Sequence, residues 1–180
     1  MRLCKMLDVS PHLIPIKENK DSRGYLKKYY TDNDTLKIKQ VLHSQTILPG
    51  TVRGLHVQIE DSIETKRLQV IKGAIFDLSI NINRHSENFM KVYTFSLNET
   101  ENQSLLIPPG YAHAYQVIEK NTEVLYFSSS DYNPNNERVI SPLSPYLEHY
   151  WPMPVSHLSE KDKEGILISE TYKGIAFKHR

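Results

Sequence analysis

The chain has 180 residues, 24% of them charged, and its 22 Lys and Arg residues against 21 Asp and Glu residues leave a formal net charge of +1 at pH 7. This near-neutral balance gives no electrostatic basis for binding nucleic acid or an anionic membrane surface. The length fits one domain over residues 1–180 that is large enough to bury a hydrophobic core.

The only cysteine, Cys4, cannot form a disulfide within the chain and has no cysteine neighbours for a thiolate metal site. This fits a reducing compartment. No apolar run approaches the roughly 20 residues that span a bilayer, and residues 1–5 are not followed by an apolar stretch of the signal-peptide type. We therefore expect a cytoplasmic protein that does not contact the membrane.

Six segments rich in Val, Ile, Leu, Tyr and Phe predict β-strands. In chain order they are residues 51–59, 67–83, 91–97, 104–107, 114–118 and 123–129. From residue 74 to residue 83, apolar and polar side chains alternate, which predicts a strand with two differently solvated faces. Turn residues such as Pro49-Gly50, Gly73 and Pro109-Gly110 separate the segments, so the pattern favours a β-sandwich or barrel. After Asp131 the pattern ends, and we predict loops and short helices packed on the barrel.

Several chemically active residue types are spread over these strands. Side chains that point into a barrel converge from distant strands, so single residues on several strands can share one cavity. Strand alternation places His56 on the same face as Gly54 and Gln58, opposite Leu55 and Val57. The candidates at this point are Arg23, Arg53, His56, Gln58, Lys66, Asp77, His113 and Tyr126.

Ordinary structural roles explain the same residues equally well at this level. Most histidines lie at the surface or in satisfied core positions, and Tyr126 is one of eleven tyrosines. Lys66 and Asp77 form an ordinary ion pair in this alternative. The polar face that begins at Asp77 then simply faces water. Composition and periodicity lead only to an all-β barrel with a polar cavity.

The order and spacing of the motifs resemble the dTDP-4-dehydrorhamnose 3,5-epimerase family, a branch of the cupin-like jelly rolls, from about Asp21 to Asp162. Arg-Gly-Leu-His alone is a weak signal, but the ordered set is specific. The matching segments are residues 21–24, 50–58, Lys66, 70–73, 76–78, 107–113, 125–126, 131–132, 151–152 and 159–162.

The resemblance implies a metal-free, cofactor-free jelly-roll homodimer that epimerises a 4-keto sugar attached to a nucleoside diphosphate. His56 matches the base, Tyr126 the acid, and Lys66 the lysine near the keto oxygen. Arg23 and Arg53 match residues that grip the diphosphate, with Arg23 reaching the partner's site. The further substrate-binding positions are Gln58, His113 and Asp77.

One departure concerns the partner of the base. The family aspartate is placed just before Trp-Pro, where this chain has Ser144. On that alignment the His–Asp pair is broken, and His56 is a weaker base or uses another partner.

A second departure concerns the nucleotide. Thymidine-binding members carry aromatic residues and a glutamate around Asp-x-Arg-Gly, whereas this chain has Asn19, Leu26 and Lys28. We therefore expect a different base pocket, and favour a GDP-linked 4-keto heptose of capsule or surface polysaccharide synthesis over a dTDP-linked 4-keto-6-deoxyhexose.

Three alternatives stay open. A metal-dependent cupin is suggested by residues 108–113, although Gln58 stands where a second histidine ligand would follow His56. An inactive sugar-nucleotide-binding homologue is suggested by Ser144. A related isomerase would move the keto group along the ring.

Overall fold

The computed structural model describes residues 9–31 and 36–177, so Cys4 and residues 1–5 lie outside the described part. The described residues form twelve strands, one short α-helix and three 3₁₀ turns. The first six strands are β1 (His12–Pro15), β2 (Lys17–Asp21), β3 (Gly24–Lys28), β4 (Gln40–Thr46), β5 (Val52–Gln58) and β6 (Lys66–Lys72). The others are β7 (Ala74–Asn81), β8 (Val92–Asn98), β9 (Gln103–Ile107), β10 (Tyr111–Val117), β11 (Thr122–Ser128) and β12 (Glu137–Val139). Helix α1 is Glu160–Lys163, and the turns are Glu60–Ser62, Pro134–Asn136 and Glu148–Tyr150.

Ten strands form two five-stranded antiparallel sheets. The first sheet has the order β1-β9-β6-β11-β4, the second has the order β12-β5-β10-β7-β8, and β2 and β3 form a separate hairpin. Except for β7 and β8, neighbouring strands in each sheet are not consecutive in the chain, as in a jelly roll rather than a simple meander. The prediction of an all-β, cupin-like jelly roll with short C-terminal helical segments is confirmed.

The structure has two hydrophobic cores, one on each face of the second sheet. The inner core joins the two sheets and includes Leu68, Leu105 and Tyr115. The outer core joins the opposite face of β5, β7 and β10 to C-terminal residues such as Leu147 and Ile168. The C-terminal segment therefore packs on the barrel, as the sequence predicts.

Strand β7 shows why the second sheet is buried on both faces. Leu78 and Ile80 belong to the outer core, while Asp77, Ser79 and Asn81 point the other way and are also fully buried. The alternative that this polar face meets water is wrong. Its side chains are satisfied internally: Asp77 binds His113, and Asn81 donates to Ser86 Oγ.

All six apolar segments form strands, and the longest divides at Gly73 into β6 and β7. The predicted turn at Gly73 has φ +77°, a left-handed conformation that glycine adopts readily. The pattern misses β1 to β4 and β12, because these short strands are rich in polar or exposed residues. Pairing with neighbours holds them instead, as β11 holds β4 and β5 holds β12. None of the helices in the described residues is long and apolar enough to span a membrane.

A buried glutamine ties the C-terminal segment to the second sheet. Gln116 on β10 is fully buried, and its amide nitrogen donates to Met153 O at 2.9 Å while its amide oxygen accepts from Met153 N at 3.1 Å. Backbone bridges between Thr51 and His157 and between Ile140 and Ile166 fix the same segment further along. This segment carries helix α1 to the site described below.

We predict that Gln116→Leu lowers the free energy of unfolding by about 1–3 kcal/mol, because two partly buried backbone groups of Met153 lose their partner. Urea unfolding of the variant measures the change. The partly exposed Gln103 on β9 gives the control Gln103→Leu, for which we expect little change. Wild-type stability in Gln116→Leu would contradict the anchoring role.

Candidate active site

A cavity of about 620 Å³ opens between the sheets and is also lined by the segment from Tyr132 to Lys161. Its walls come from β4, β6 and β11 of the first sheet and from β5 and β10 of the second. Six of the eight residues predicted for the site line it: Arg53, His56, Gln58, Lys66, His113 and Tyr126. Asp77 lies behind His113, and Arg23 lies outside the cavity.

His56 and Asp162 form a hydrogen-bonded pair at this cavity. His56 Nε2 lies 2.6 Å from Asp162 Oδ1, and the other carboxylate oxygen is 3.5 Å from Gly54 N. Burial alone would raise the pKa of Asp162, but the hydrogen bond and charge attraction from His56, together with the Ser159 hydroxyl, lower it overall. Asp162 is therefore ionised at neutral pH and places a negative charge against the His56 ring.

The expectation that Ser144 breaks this pair is wrong. Ser144 is fully buried; its hydroxyl donates to Ser141 O at 2.6 Å and accepts from Ile168 N at 3.1 Å, so it has a structural role in the C-terminal segment. The partner of His56 is Asp162, 18 residues further along the chain. Asp162 lies in the matching segment 159–162, so the sequence does contain the partner of His56, but it follows Trp151 rather than preceding it.

Helix α1 places Asp162 through its own N-terminal cap. Ser159 Oγ accepts a hydrogen bond from Asp162 N at 3.1 Å, which starts the helix at Glu160. From this single turn the Asp162 carboxylate contacts His56 and Gly54 of β5. The neighbouring Lys161 lines the cavity.

A second group of charged residues beside His56 escaped the sequence analysis. Glu137 Oε2 accepts from Tyr132 OH at 3.0 Å and from Lys161 Nζ at 2.7 Å, and Glu137 Oε1 lies 3.9 Å from His56 Nδ1. Glu137 reaches this point because β12 pairs with β5, with Val139 opposite His56. A three-residue strand in a proline- and asparagine-rich stretch gave no sequence signal.

Tyr126 reaches the cavity from the opposite sheet. It lies on β11, and its ring centroid is 6.2 Å from that of Tyr115. Burial, reinforced by Tyr115, raises the pKa of Tyr126 well above its usual value. The phenol is therefore protonated at neutral pH and able to donate a proton.

Lys66 and Asp77 do not form the ion pair considered for them. Lys66 Nζ lies 3.1 Å from Glu64 Oε1 and 3.5 Å from His56 O. Asp77 instead lies 2.6 Å from His113 Nε2, and both side chains are buried. The Asp77 contact orients the His113 ring at the cavity wall.

The two arginines predicted for the diphosphate lie in different surroundings. Arg53 lines the cavity, with Nε donating to Thr46 Oγ1 at 2.8 Å. Arg23 lies on the β2–β3 hairpin, its side chain 88% exposed and paired with Asp21 at 2.5 Å. A single chain therefore does not bring Arg23 to the cavity.

Gly54, two residues before His56 on β5, does not line the cavity and serves strand packing. A Cβ at Gly54 would lie 2.4 Å from His113 O and 2.8 Å from Ala114 Cα, and the residue has φ +117°. Only glycine lets β10 approach β5 this closely. This close approach sets His56 directly opposite His113 in the strand register.

The metal-dependent alternative requires a set of ligands. Within residues 9–31 and 36–177, no three His, Cys, Asp or Glu side chains are grouped to hold a metal ion. The two cavity histidines each bind a different carboxylate, Asp162 and Asp77.

Comparison with known proteins gives one consistent family. A sequence model of the dTDP-4-dehydrorhamnose 3,5-epimerase family matches residues 10–170. The chain is similar to the dTDP-4-dehydrorhamnose 3,5-epimerase of Sinorhizobium fredii, at 28% identity over 149 residues, covering 79% of this chain and 76% of that protein.

Solved structures agree. The enzyme of this name from Bacillus anthracis, crystallised with TDP and PPi bound, has a TM-score of 0.83 and 27% identity, covering 88% of this chain and 94% of that one. The one from Sulfolobus tokodaii has a TM-score of 0.82 and 30% identity, covering 93% and 94%. The chain belongs to the dTDP-4-dehydrorhamnose 3,5-epimerase family and is an isomerase.

Proposed function

We propose that this protein inverts C3, or C3 and C5, of a nucleoside-diphosphate-linked 4-keto sugar through an enolate. The observation that carries the proposal is the placement of His56, paired with Asp162, and of the protonated Tyr126 on opposite sheets of one cavity. Inversion at carbon needs a base on one face of the sugar and an acid on the other. The two sheets supply these groups.

The chemistry follows from the ketone at C4. Removal of a proton from C3 or C5 leaves a carbanion that delocalises onto the keto oxygen as an enolate. His56 takes the proton, and Asp162 stabilises the resulting imidazolium without itself becoming protonated. Tyr126 returns a proton from the other face. Lys66 stabilises the negative charge that develops on the oxygen.

The diphosphate needs cationic groups at the mouth of the cavity. Arg53 lines the cavity and has a planar guanidinium suited to phosphate oxygens. Lys161 lines it too, and although burial lowers the pKa of Lys161, its hydrogen bond with Glu137 raises it overall. Gln58 and His113, also in the wall, complete the proposed binding surface. Asp77 acts by orienting His113.

The proposal also concerns which nucleotide carries the sugar, dTDP or GDP. The relatives compared above are named for dTDP-linked sugars, and the one from Bacillus anthracis holds TDP and PPi. These favour a dTDP-4-keto-6-deoxyhexose. The GDP-4-keto-heptose of capsule synthesis rests on Asn19, Leu26 and Lys28 alone and is the second substrate to assay.

We also propose a homodimer in which the β2–β3 hairpin carries Arg23 to the partner's cavity. Tyr25 and Leu26 on this hairpin are 64% and 69% exposed, which favours their burial against another chain. The cytoplasmic location stays a prediction.

A catalytically inactive homologue was suggested by Ser144, and that motivation disappears because Asp162 pairs with His56. The epimerase and the inactive alternative differ directly in the first experiment below.

In D₂O, the wild-type protein should introduce deuterium at C3, or at C3 and C5, of its 4-keto substrate. His56→Asn should lose this exchange by about 10²-fold or more, because the base is gone. NMR measures the deuterium uptake of the wild type and of His56→Asn, with dTDP-4-keto-6-deoxyglucose and with a GDP-4-keto heptose as substrates. The control His85→Asn changes an exposed histidine and should exchange normally. Wild-type exchange in His56→Asn would refute the assignment of the base.

Asp162→Asn should lower turnover by about 10²–10⁴-fold with little loss of substrate affinity, because the imidazolium loses its counter-charge. Ser144→Ala is the control: it should lower stability but leave turnover per folded molecule unchanged. Equal losses in both variants would contradict the pairing with Asp162.

Asp162 also makes stability depend on pH. Because its pKa is lowered in the folded protein, its contribution is present above the unfolded value of about 3.9 and is lost as pH falls through the lower folded value. Urea titrations should show this acid-side loss in the wild type. The loss should shrink in Asp162→Asn.

Tyr126→Phe should separate exchange from inversion. His56 still forms the enolate and returns a solvent deuteron to the original face, whereas delivery to the opposite face fails. Deuterium uptake should therefore persist while epimer formation falls by about 10²-fold or more. Tyr150→Phe, outside the cavity, should keep the wild-type ratio. Wild-type epimer formation in Tyr126→Phe would show that the tyrosine only packs the barrel.

A further inference from the structure

Lys66 has a partner that the proposed reaction does not use. Glu64, two residues earlier, lies with Oε1 3.1 Å from Lys66 Nζ, and the two side chains are only 10% and 19% exposed. Both residues line the cavity. A carboxylate this close to the cation that faces the enolate requires an explanation, since it cancels part of the same charge.

The Glu64 carboxylate is itself fixed by strand β11. Ser128 Oγ donates a hydrogen bond to Glu64 Oε2, and Ser128 lies opposite Lys66 in the register of β11 and β6. Ser128 is two residues from Tyr126 and therefore on the same face of β11. The strand that carries the proposed acid thus also holds the carboxylate that binds the lysine.

The neighbouring backbone makes this attachment rigid. Thr65 N donates to Ser129 Oγ at 2.8 Å, and Ser129 N donates to Thr65 O at 3.1 Å. Glu64 therefore sits in a loop clamped to the end of β11 rather than in a free turn.

We propose that Glu64 is a positioning residue that holds the Lys66 ammonium where the enolate oxygen forms; this rests on the proposed function. A lysine ammonium is a mobile point charge on a four-carbon stem, and the substrate brings a competing diphosphate. Glu64 and the carbonyl of His56, 3.5 Å from Nζ, hold the ammonium near the base. A charge held in advance needs no reorganisation when the enolate appears.

The pairing also predicts which kinetic constant depends on Glu64. The Glu64–Lys66 pair is close to neutral toward the uncharged ketone, whereas the enolate oxygen brings a full negative charge to the ammonium. An interaction that strengthens only in the transition state changes kcat and leaves KM nearly unchanged.

A double-mutant cycle tests the proposal with Glu64→Ala, Lys66→Met and the combined variant. Glu64→Ala should lower kcat and deuterium uptake by about 10- to 100-fold, the scale expected for a displaced catalytic group. KM should stay close to wild type. In the Lys66→Met background the same substitution should have little further effect, because the two residues act as one unit.

Two more variants sharpen the cycle. Glu64→Gln keeps an oxygen that accepts from Lys66 and should recover most of the lost kcat. Ser128→Ala frees the carboxylate without removing charge and should cause a smaller fall, again absent in Lys66→Met; it replaces Glu64→Ala if that variant does not fold. The matched control is Lys72→Ala, which breaks the ion pair between Lys72 and Glu123 across the same two strands. Lys72 does not line the cavity, so this variant should leave kcat unchanged.

Equal fractional losses in the wild-type and Lys66→Met backgrounds would overturn the proposal, because they would assign Glu64 to the structure of the loop. A raised KM with unchanged kcat would also overturn it. Wild-type protein that takes up no deuterium with any 4-keto sugar would overturn the epimerase function and this role with it. If the wild-type protein does turn over a 4-keto sugar, but the losses in Glu64→Ala and Lys66→Met simply add in the double variant, only the role of Glu64 would be overturned and the epimerase function would stand.

Discussion

The 2.6 Å contact between His56 and Asp162 joins residues 106 positions apart in the chain, and the proposed chemistry depends on it. His56 is fixed by β5, which lies between β12 and β10 in the second sheet, whereas Asp162 belongs to a single helical turn in the C-terminal segment. The pair forms only because that segment packs on the outer face of the sheet and is held there by buried residues such as Gln116. Stability and catalysis are therefore linked through the same layer.

The two sheets contribute different chemical groups to the two sides of the cavity. One sheet supplies His56 with an ionised carboxylate behind it, and the other supplies Tyr126, whose burial keeps its phenol protonated. Lys66 lies on the same sheet as Tyr126, yet its ammonium reaches the carbonyl of His56. The proposed base, acid and cation thus come from strands of the two sheets, which suits a reaction that requires opposite faces of one carbon.

The sequence predicts the parts of this arrangement that leave a periodic or motif signal. Alternation in β5 places His56 and Gln58 on the cavity face, and the ordered motifs point to the epimerase family. Asp162 and Glu137 are different, because their positions depend on tertiary packing of a short helix and a three-residue strand. Ser144, the position that the spacing before Trp-Pro predicts for the partner of His56, instead has its hydroxyl bonded to the backbone of its own segment. Arg23 is predicted to bind the diphosphate in the cavity of a partner chain, and a single chain does not contain that contact.

The most direct test of opposite-face proton transfer is a crystal structure of Asp162→Asn with an intact nucleoside-diphosphate 4-keto sugar. If the proposed reaction is correct, C3 lies between the His56 ring and the Tyr126 hydroxyl, with the keto oxygen within hydrogen-bond distance of Lys66 Nζ. A sugar bound with His56 and Tyr126 on the same face of its ring, or with its keto oxygen turned away from Lys66, would contradict it.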